Sequence, residues 1–340
     1  MSHHVNPVKR NMKLIAPLII LLSVTTVTAQ IDRKQLDTLR AEGYEALYNL
    51  DYEGARKRFQ KMIELAPDHP AGAQCFASSL WLQQLNQAWE LKATLYSAEA
   101  YENGKSKPDR TQVDAFRKWI RTAKQLSQAR LRKDPHDVEA LYFLGAAEGL
   151  EAAYAGAIER KFRAALRAGS DSVDHHREVL KLAPDFHDAE LTIGLMNYIV
   201  GSLPLPVKML VATMGVRGSK KRGLEALERV TVKGEWARDV ARVLLIDLYK
   251  REKRFTDAFE VARQLTEKYP RNYLFKLQMA DALVSEVLTL RNKKEPRSVA
   301  QEQQVLTIFN TLLRDKTLDR AAIDLISFRL NIARQQLAAR

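Results

Sequence analysis

The chain has 340 residues, of which 46% are apolar and 28% are charged, and Lys and Arg outnumber Asp and Glu by 54 to 41. This apolar fraction excludes wholesale disorder, and the length predicts either two domains or one elongated repeat array. A single cysteine excludes a disulfide framework and a multi-thiolate zinc site. The excess of positive charge favours anionic partners or surfaces.

The N-terminus has the order of a secretory signal, with a basic stretch, an apolar run and small residues. Three cations precede the apolar run, namely Lys9, Arg10 and Lys13. The run LIAPLIILLSV at residues 14–24 is followed by Val-Thr-Ala at residues 27–29, which suits cleavage before Gln30. We therefore expect residues 1–29 to form a signal peptide. The mature protein is expected to be exported to the periplasm or envelope, or secreted from a single-membrane host.

Other features of residues 1–29 bear on whether the segment is cleaved, lipid-anchored or retained as a membrane anchor. The apolar run is short for a membrane-spanning helix and contains Pro17, so an uncleaved anchor is the less favoured alternative. No cysteine stands at the cleavage point, so a lipid-anchored form is not expected. Translation from Met12 would give a more compact signal. Cleavage before Gln30 would remove the three cations of the segment and lower the net charge of the chain from +13 to +10.

Four short segments divide the rest of the chain, and each follows one amphipathic run and precedes another. They are Leu65-Ala66-Pro67-Asp68, Asp134-Pro135-His136-Asp137, Leu182-Ala183-Pro184-Asp185 and Tyr269-Pro270-Arg271-Asn272. Proline ends a helix, and Asp or Asn can cap the next one. Pro67 and Pro135 lie 68 residues apart, which is twice the roughly 34-residue period of a helical-hairpin repeat.

Small and bulky residues upstream of two of these segments have a repeat spacing. The positions are Gly43, Ala55, Phe59 and Pro67 in the first unit, and Leu245, Tyr249, Ala258, Leu265 and Pro270 in a later unit. Two antiparallel helices approach closely only where a small residue faces a large one. The turns at 49–52 and 251–254 are short and polar, as a tight helical hairpin requires. On these residues the chain resembles the tetratricopeptide-repeat family.

This resemblance implies a helical-repeat fold for the whole mature chain. Leu144-Gly145 and Pro184 mark a further, looser unit. The other predicted helices are 71–98 and 111–132 with a loop at 102–109, 138–154, 188–200 resuming at 219, 272–290 and 300–314 around a loop at 291–297, and a closing helix at 319–340. No run alternates as a strand would. We predict an all-α, tetratricopeptide-like superhelix of about six helix pairs plus a closing helix over residues 30–340.

Residues 198–229 contain an insert that carries a second resemblance. It has an apolar Leu-Pro segment, then Gly-x-x-Gly with a basic residue, then Gly-Leu at the opening of a helix. In this order it resembles the tetratricopeptide-repeat-39 and mitochondrial inclusion-body-clearance family. That resemblance implies a non-enzymatic helical-repeat protein, with membrane association as an option.

A basic cluster in the insert, formed by Arg217, Lys220, Lys221 and Arg222, is the candidate contact for an anion or a lipid. It is not a phosphate-binding loop, because the Gly-x-x-x-x-Gly-Lys-Ser/Thr order is absent and no strand precedes it. The cluster lies near a helix start, where free backbone N–H groups favour anions. The alternative, and the more common situation for such clusters, is a solvated turn.

The apolar stretch 199–216 beside the basic cluster has two interpretations. It can touch a membrane surface, with its cations on anionic headgroups, although Pro204, Pro206 and Lys208 exclude a spanning helix. The favoured interpretation is that the stretch folds inside the curve of the stack as part of the core. The side chains buried in that case would be Leu203, Leu205, Met209 and Leu210.

Other residues with reactive side chains have structural explanations. Three histidines near one another, His175, His176 and His187 with Asp174, match no zinc-ligand spacing, so packing or surface roles are expected and no metal. Cys75 lies in an apolar run and is interpreted as a small buried side chain. Aromatic residues at helical spacing are expected in the core, with one or two on the concave face as binding anchors: Trp81, Trp89, Trp119 and Tyr142.

Two functions follow from these features. The first is an exported, non-enzymatic scaffold that binds a protein or peptide through its concave face, with acidic partners favoured by the charge of the chain. The alternative is a peripheral membrane protein that docks the insert at 199–222 on anionic lipid. No cofactor, catalytic constellation or nucleic-acid-binding motif is predicted.

We expect the natively produced protein to begin near Gln30. The basic, apolar and small-residue order of residues 9–29 is the pattern at which secretory signals are cleaved. An intact-mass measurement on protein isolated from its own host tests the prediction. Retention of residues 14–29 in an envelope extract would contradict it.

Overall fold

All regular secondary structure is helical in the residues that the computed structural model describes, which are 33–87, 110–213, 215–292 and 299–338. The helices are α1 (33–48), α2 (Tyr52–Leu65), α3 (Pro70–Gln87), α4 (Arg110–Lys133), α5 (Val138–Ala157), α6 (Phe162–Leu182), α7 (Glu190–Ser202), α8 (Leu205–Thr213), α9 (Lys220–Lys233), α10 (Arg238–Arg251), α11 (Phe255–Lys268), α12 (Tyr273–Asn292), α13 (Val299–Leu313) and α14 (Arg320–Ala338). A short 3₁₀ turn, His187–Ala189, leads into α7. The prediction of an all-α fold is confirmed.

Successive helices pack as hairpins. The pairs within the described residues are α1 with α2, α3 with α4, α5 with α6, α7 with α9, α10 with α11 and α12 with α13, and α14 packs on the last pair. Helix α8 is inserted between the two members of the fourth pair and belongs to no pair. This arrangement is the predicted tetratricopeptide-like superhelix.

The first and fifth hairpins have the same local geometry. Leu50 and Lys253 each lie two residues before the second helix of their hairpin, and both adopt left-handed φ angles, of 65° and 60°. Ala55 and Ala258 each lie in the first turn of that second helix, and both are 0% exposed. Since the same residue type and the same backbone conformation recur at matching positions, the two hairpins are structural repeats of one unit.

The residues that the sequence singles out for repeat packing lie at helix crossings or between helices. A Cβ atom on Gly43 would lie 2.3 Å from the ring of Phe59, and one on Gly145 would lie 2.8 Å from the ring of His176. These distances are too short for any larger residue, so glycine sets the separation of the helices at both crossings. The other members are the buried side chains Leu144, Tyr249 and Leu265, and the prolines Pro67, Pro184 and Pro270 in turns between helices.

The superhelix curves until its first hairpin meets the junction between α11 and α12. The side-chain amide of Asn272 donates a hydrogen bond to the carbonyl of Tyr48 at 2.7 Å, across 224 residues of sequence. The backbone N–H of Arg271 donates to Asn49 Oδ1 at 3.2 Å. The rings of Tyr48 and Tyr269 lie 5.0 Å apart, and both side chains are buried. Because the two regions touch, the first and fifth hairpins narrow the inner face between them.

Some predicted features differ from the structure or lie beyond it. The insert contains a helix that the sequence analysis does not predict, α8, which begins after Pro204, and the backbone N–H of Lys208 donates to the Pro204 carbonyl at 2.9 Å. The signal peptide, Trp89, the predicted end of the helix 71–98 and the loop 102–109 lie outside the described residues. In the described part of the chain, no helix combines the length and apolar character needed to cross a bilayer.

Overpacking the repeat crossings tests the assigned register. Ala55→Trp and Ala258→Trp should each lower the free energy of unfolding by about 1–3 kcal/mol or more, because both alanines are fully buried at close crossings. The exposed Lys61→Ala is the control and should change stability little. Thermal melts of the three variants measure the effect. Unchanged melting of the two tryptophan variants would show that the register is wrong.

Candidate binding site on the inner face

An open groove runs between α1 and the neighbouring ends of α10 and α11. Its volume is about 920 Å³. One wall is formed by α1, including Asp37 and Tyr44, and the other by Trp236, Asp239 and Tyr269. The groove is therefore built where the first hairpin approaches the fifth, and it is the opening to the interior of the superhelix.

Behind the groove lies an apolar cavity of about 190 Å³. Its lining comes mainly from α1, α3, α5, α7 and α10, the first helices of successive hairpins, and includes Trp81, Leu85, Leu150, Leu195 and Val240. Four residues line both the groove and the cavity: Arg40, Tyr44, Tyr48 and Trp236. The two spaces thus adjoin one another, with a wide polar outer part and a narrow apolar inner part.

A buried carboxylate positions Trp236 between these two spaces. Asp188 accepts hydrogen bonds from the backbone N–H groups of Trp236 at 2.8 Å and Ala237 at 2.7 Å, and from that of Glu235 at 3.0 Å. These N–H groups directly precede α10 and have no partner within that helix. Asp188, which belongs to the preceding hairpin, accepts their hydrogen bonds. The contact holds the start of α10, and with it Trp236, against the turn before α7.

The indole of Trp236 belongs to an aromatic cluster and keeps one polar atom without a partner. Its ring is stacked with that of Phe143 at 5.4 Å and meets that of Tyr142 edge-on at 5.3 Å. The guanidinium of Arg40 lies 3.7 Å from the indole centroid on the groove side. The Nε1 atom is buried and has no hydrogen-bond partner among the described residues. A bound carbonyl or hydroxyl oxygen would satisfy this donor.

The rim of the groove carries charges of both signs. Arg40 is paired with Asp37 at 3.1 Å, and Lys268 with Asp239 at 2.6 Å. Burial alone would raise the pKa of Asp239, but hydrogen bonds from Lys268 and from the Tyr269 hydroxyl outweigh it and hold the pKa below its ordinary value. Asp239 is therefore a stable anion near neutral pH. A mixed rim around an apolar interior suits a ligand with polar backbone groups and an apolar side chain.

The sequence identifies some of the aromatic residues of this site and misses the central one. Trp81 and Tyr142 line the cavity, as expected for inner-face anchors. Trp119 lies against Phe76, with ring centroids 4.6 Å apart, away from the cavity. Trp236 is not among the sequence candidates. It lies in the short turn between Gly234 and the start of α10 at Arg238, and this turn is the local signal in the sequence. Its role depends on contacts with distant hairpins.

The histidines near the insert each have their own partner. His176 is buried, and its Nε2 lies 3.1 Å from the Tyr142 carbonyl, while Nδ1 contacts the hydroxyl of Thr192. His175 Nδ1 lies 2.7 Å from Glu148 Oε2, and this hydrogen bond raises the pKa of His175. His187 Nδ1 lies 2.8 Å from Glu190 Oε1. Within the described residues, no group of His, Cys, Asp and Glu is arranged to hold a metal ion.

Cys75 is a packing residue of the inner face. Its side chain is 1% exposed, and burial raises the pKa of the thiol to about 11. At neutral pH the sulfur is therefore protonated, and a protonated thiol is a poor nucleophile. Burial also raises the pKa of Tyr44, whose hydroxyl donates to Ser78 Oγ at 3.4 Å. Cys75 and Tyr44 therefore line the cavity as neutral hydrogen-bonding groups.

The prediction that the insert forms part of the core is wrong. Leu205 is 69% exposed, and Met209 and Leu210 are each 64% exposed, while Leu203 is half-buried. The reason is that the inner positions are taken by the first helices of the hairpins, which line the groove and the cavity, so α8 lies on the outside. The basic residues of the candidate anion contact, Arg217, Lys220, Lys221 and Arg222, are also exposed.

Comparisons with known proteins add a distant similarity to a solved structure. No protein-family model matches the chain, and no curated protein matches it. Among solved structures, a thermophilic TPR protein of Thermus thermophilus matches with a TM-score of 0.40 and 14% identity, over 74% of this chain and 99% of that chain. These values are too low to support a statement about function. The resemblance of residues 198–229 to the tetratricopeptide-repeat-39 family stays a prediction.

The pH dependence of stability tests the placement of His176. Burial lowers the pKa of this histidine to about 4, whereas an unfolded histidine titrates near 6.5. Between these values the unfolded state binds more protons, so the free energy of unfolding falls as the pH drops from about 6.5 to about 4, by up to about 3 kcal/mol. We expect His176→Gln to lose this part of the slope.

Thermal melts of wild type and His176→Gln between about pH 4 and pH 7 measure the difference. His136→Gln, which changes an exposed histidine, serves as the control and should keep the slope of the wild type. A slope in His176→Gln equal to that of wild type would contradict the prediction.

Proposed function

We propose that the protein is an exported, non-enzymatic scaffold that binds a polypeptide on the inner face of its tetratricopeptide-like superhelix. The observation that carries this proposal is the groove of about 920 Å³ adjoining an apolar cavity of about 190 Å³. Helical-repeat proteins of this shape present extended inner surfaces that suit chain-like ligands. A polypeptide segment laid along the groove places one side chain at the mouth of the cavity.

The chemistry of the site matches a peptide better than a charged small molecule. The cavity is lined mostly by apolar side chains, so it favours an aliphatic or aromatic anchor residue. Trp236 lines both the groove and the cavity, and its unpartnered Nε1 donor suits a backbone carbonyl. The wide groove outside the cavity leaves room for the residues that flank the anchor.

The rim does not favour an acidic partner at this site. Glu45 and Glu235 line the groove, are exposed, and have no ion-pair partner among the described residues. Lys34 also lines the groove, is exposed and has no ion-pair partner in the described part of the chain. The excess of positive charge in the chain is located elsewhere, including the basic cluster of the insert. The partner of the groove is therefore an apolar-anchored segment without a net negative charge.

Export is supported by residues 1–29 alone, whose basic, apolar and small-residue order is that of a secretory signal. The alternative function, docking of the insert on an anionic membrane, involves α8. Helix α8 does not line the groove, so the two interactions do not compete.

A selection from a displayed library of random peptides on the natively processed protein tests the groove. We expect enriched peptides with an apolar anchor, whose affinity falls by about thirtyfold or more in Trp236→Ala, since such buried aromatic anchors contribute about 2 kcal/mol or more. Trp236→Phe keeps the packing against Phe143 and loses the Nε1 donor, so it should show a smaller loss.

Trp119→Ala is the matched control, because Trp119 packs on the other side of α3. It should leave peptide affinity unchanged, and circular dichroism confirms that each variant is folded. Equal affinity of the selected peptides for wild type and a folded Trp236→Ala would remove the groove from the binding site.

A further inference from the structure

Helix α8 carries the densest exposed apolar surface of the described residues. Leu205, Val207, Met209 and Leu210 are 69%, 42%, 64% and 64% exposed, and all four lie within six residues. The other large exposed apolar side chains are single residues far apart in sequence, namely Phe162, Leu182, Val232, Val299 and Phe328. A contiguous exposed apolar surface on a folded protein marks an interaction site.

The helix is attached to the fold so that this surface faces outwards. Val211 is its one buried residue. The ammonium group of Lys208 donates to the carbonyl of Gly201 at 2.8 Å, in the last turn of α7, where helix carbonyls are free and the helix dipole favours a cation. The one charge within α8 is thereby turned towards the protein. The exposed side of the helix is left without charge.

A group of cations follows this uncharged surface in sequence, and no acid lies near it in sequence. From Leu191 to Leu224 the chain contains no Asp or Glu. Arg217 and Arg222 are exposed and have no ion-pair partner among the described residues, and Lys221 is 86% exposed, with Glu225 at 3.9 Å. Lys220 is engaged by Glu252 at 2.8 Å. Three cations are therefore available to an outside anion.

The first half of α6 adds to the same side of the molecule. Gly169 and Met196 are in contact where α6 and α7 pack, and Leu166 of α6 shares a pocket with Val216 and Arg217. The first turn of α6 contains the exposed Phe162, and Arg163 and Arg167 are also exposed. The N-terminal half of α6 therefore lies next to the residues that follow α8.

We propose that α8 docks on an anionic lipid bilayer, lying flat at the level of the headgroups. Leu205, Met209 and Leu210 enter the acyl boundary, and Arg217, Lys221 and Arg222 contact lipid phosphates. A nine-residue helix is about 14 Å long, so it is far too short to span a bilayer and suited to the interface. This surface is separate from the groove, and the inference does not depend on the proposed function.

Charge complementarity favours a membrane over a second copy of this chain. Two copies meeting through α8 would bring the cations of both surfaces together. Asp174, which lines a pocket with Arg217, and Glu225 already face Arg177 and Lys221 and do not balance Arg217 and Arg222. An anionic bilayer supplies phosphates around an apolar layer, which is the arrangement that an apolar helix flanked by cations requires. The apolar side chains of α8 then contact the acyl chains, and the cations contact the phosphates, in one interface.

The experiment places an environment-sensitive fluorophore on α8 of the natively processed protein, through Met209→Cys. Native Cys75 is 1% exposed and does not compete for the label. Phe328→Cys, at an exposed apolar site on α14, is the control. The probe is titrated with vesicles of phosphatidylcholine alone and of equal parts phosphatidylcholine and phosphatidylglycerol.

We expect a blue shift at Met209→Cys with the anionic vesicles, a much weaker one with the neutral vesicles, and none at Phe328→Cys. Replacing Arg217, Lys221 and Arg222 with Gln should weaken binding about a hundredfold, because each cation near an anionic surface contributes about a factor of five. Replacing Lys61 on α2, Lys133 on α4 and Lys233 at the far end of α9, all of them exposed, removes the same charge and should have little effect.

Three outcomes would overturn the proposal. The first is vesicle binding without a shift at Met209→Cys, which would assign the contact to another part of the chain. The second is equal affinity for neutral and anionic vesicles, which would remove the cations from the interface. The third is a shift that appears without vesicles as protein concentration rises, which would mean that a second copy covers α8.

Discussion

The contact between the first hairpin and the junction of α11 and α12 decides the shape of the inner face of the superhelix. Tyr48 packs on Tyr269, and the Asn272 amide binds the Tyr48 carbonyl. Without this contact, a stack of six hairpins would leave a wide concave face. With it, α1 lies opposite α10, and the inner face becomes a groove that adjoins a small apolar cavity.

The groove depends in turn on a contact between two other hairpins. Asp188, before α7, holds the N-terminal backbone groups of α10 and so places Trp236 at the boundary of groove and cavity. A buried carboxylate needs such hydrogen bonds to offset the cost of leaving water. Because Asp188 obtains them from α10 rather than from its own helix, its burial couples the fourth and fifth units.

The molecule has two apolar surfaces whose surrounding charges differ. The inner face contains aromatic side chains with a rim of mixed charge, whereas α8 on the outside presents aliphatic side chains beside unpaired cations. The excess of positive charge in the chain therefore says little about the groove. Lys208 shows how the separation is achieved locally, since its ammonium group binds the end of α7 and leaves the outer side of α8 uncharged.

The sequence by itself determined the local elements of this protein. Helix-ending prolines, the small residues Gly43, Ala55 and Ala258, and the absence of alternating runs predicted an all-α stack of hairpins, because these signals act between residues that are near in sequence. The tertiary structure alone decided the closure at Tyr48 and Tyr269, the placement of Trp236, and the exposure of α8. Closure results from small rotations added over every repeat, which no single segment encodes. For the same reason, the place of the apolar insert depends on the inner helices of distant hairpins, which line the interior and leave α8 outside. Hydrophobicity predicts that an apolar side chain will be buried, but it does not say whether the partner that buries it lies within the chain or outside it.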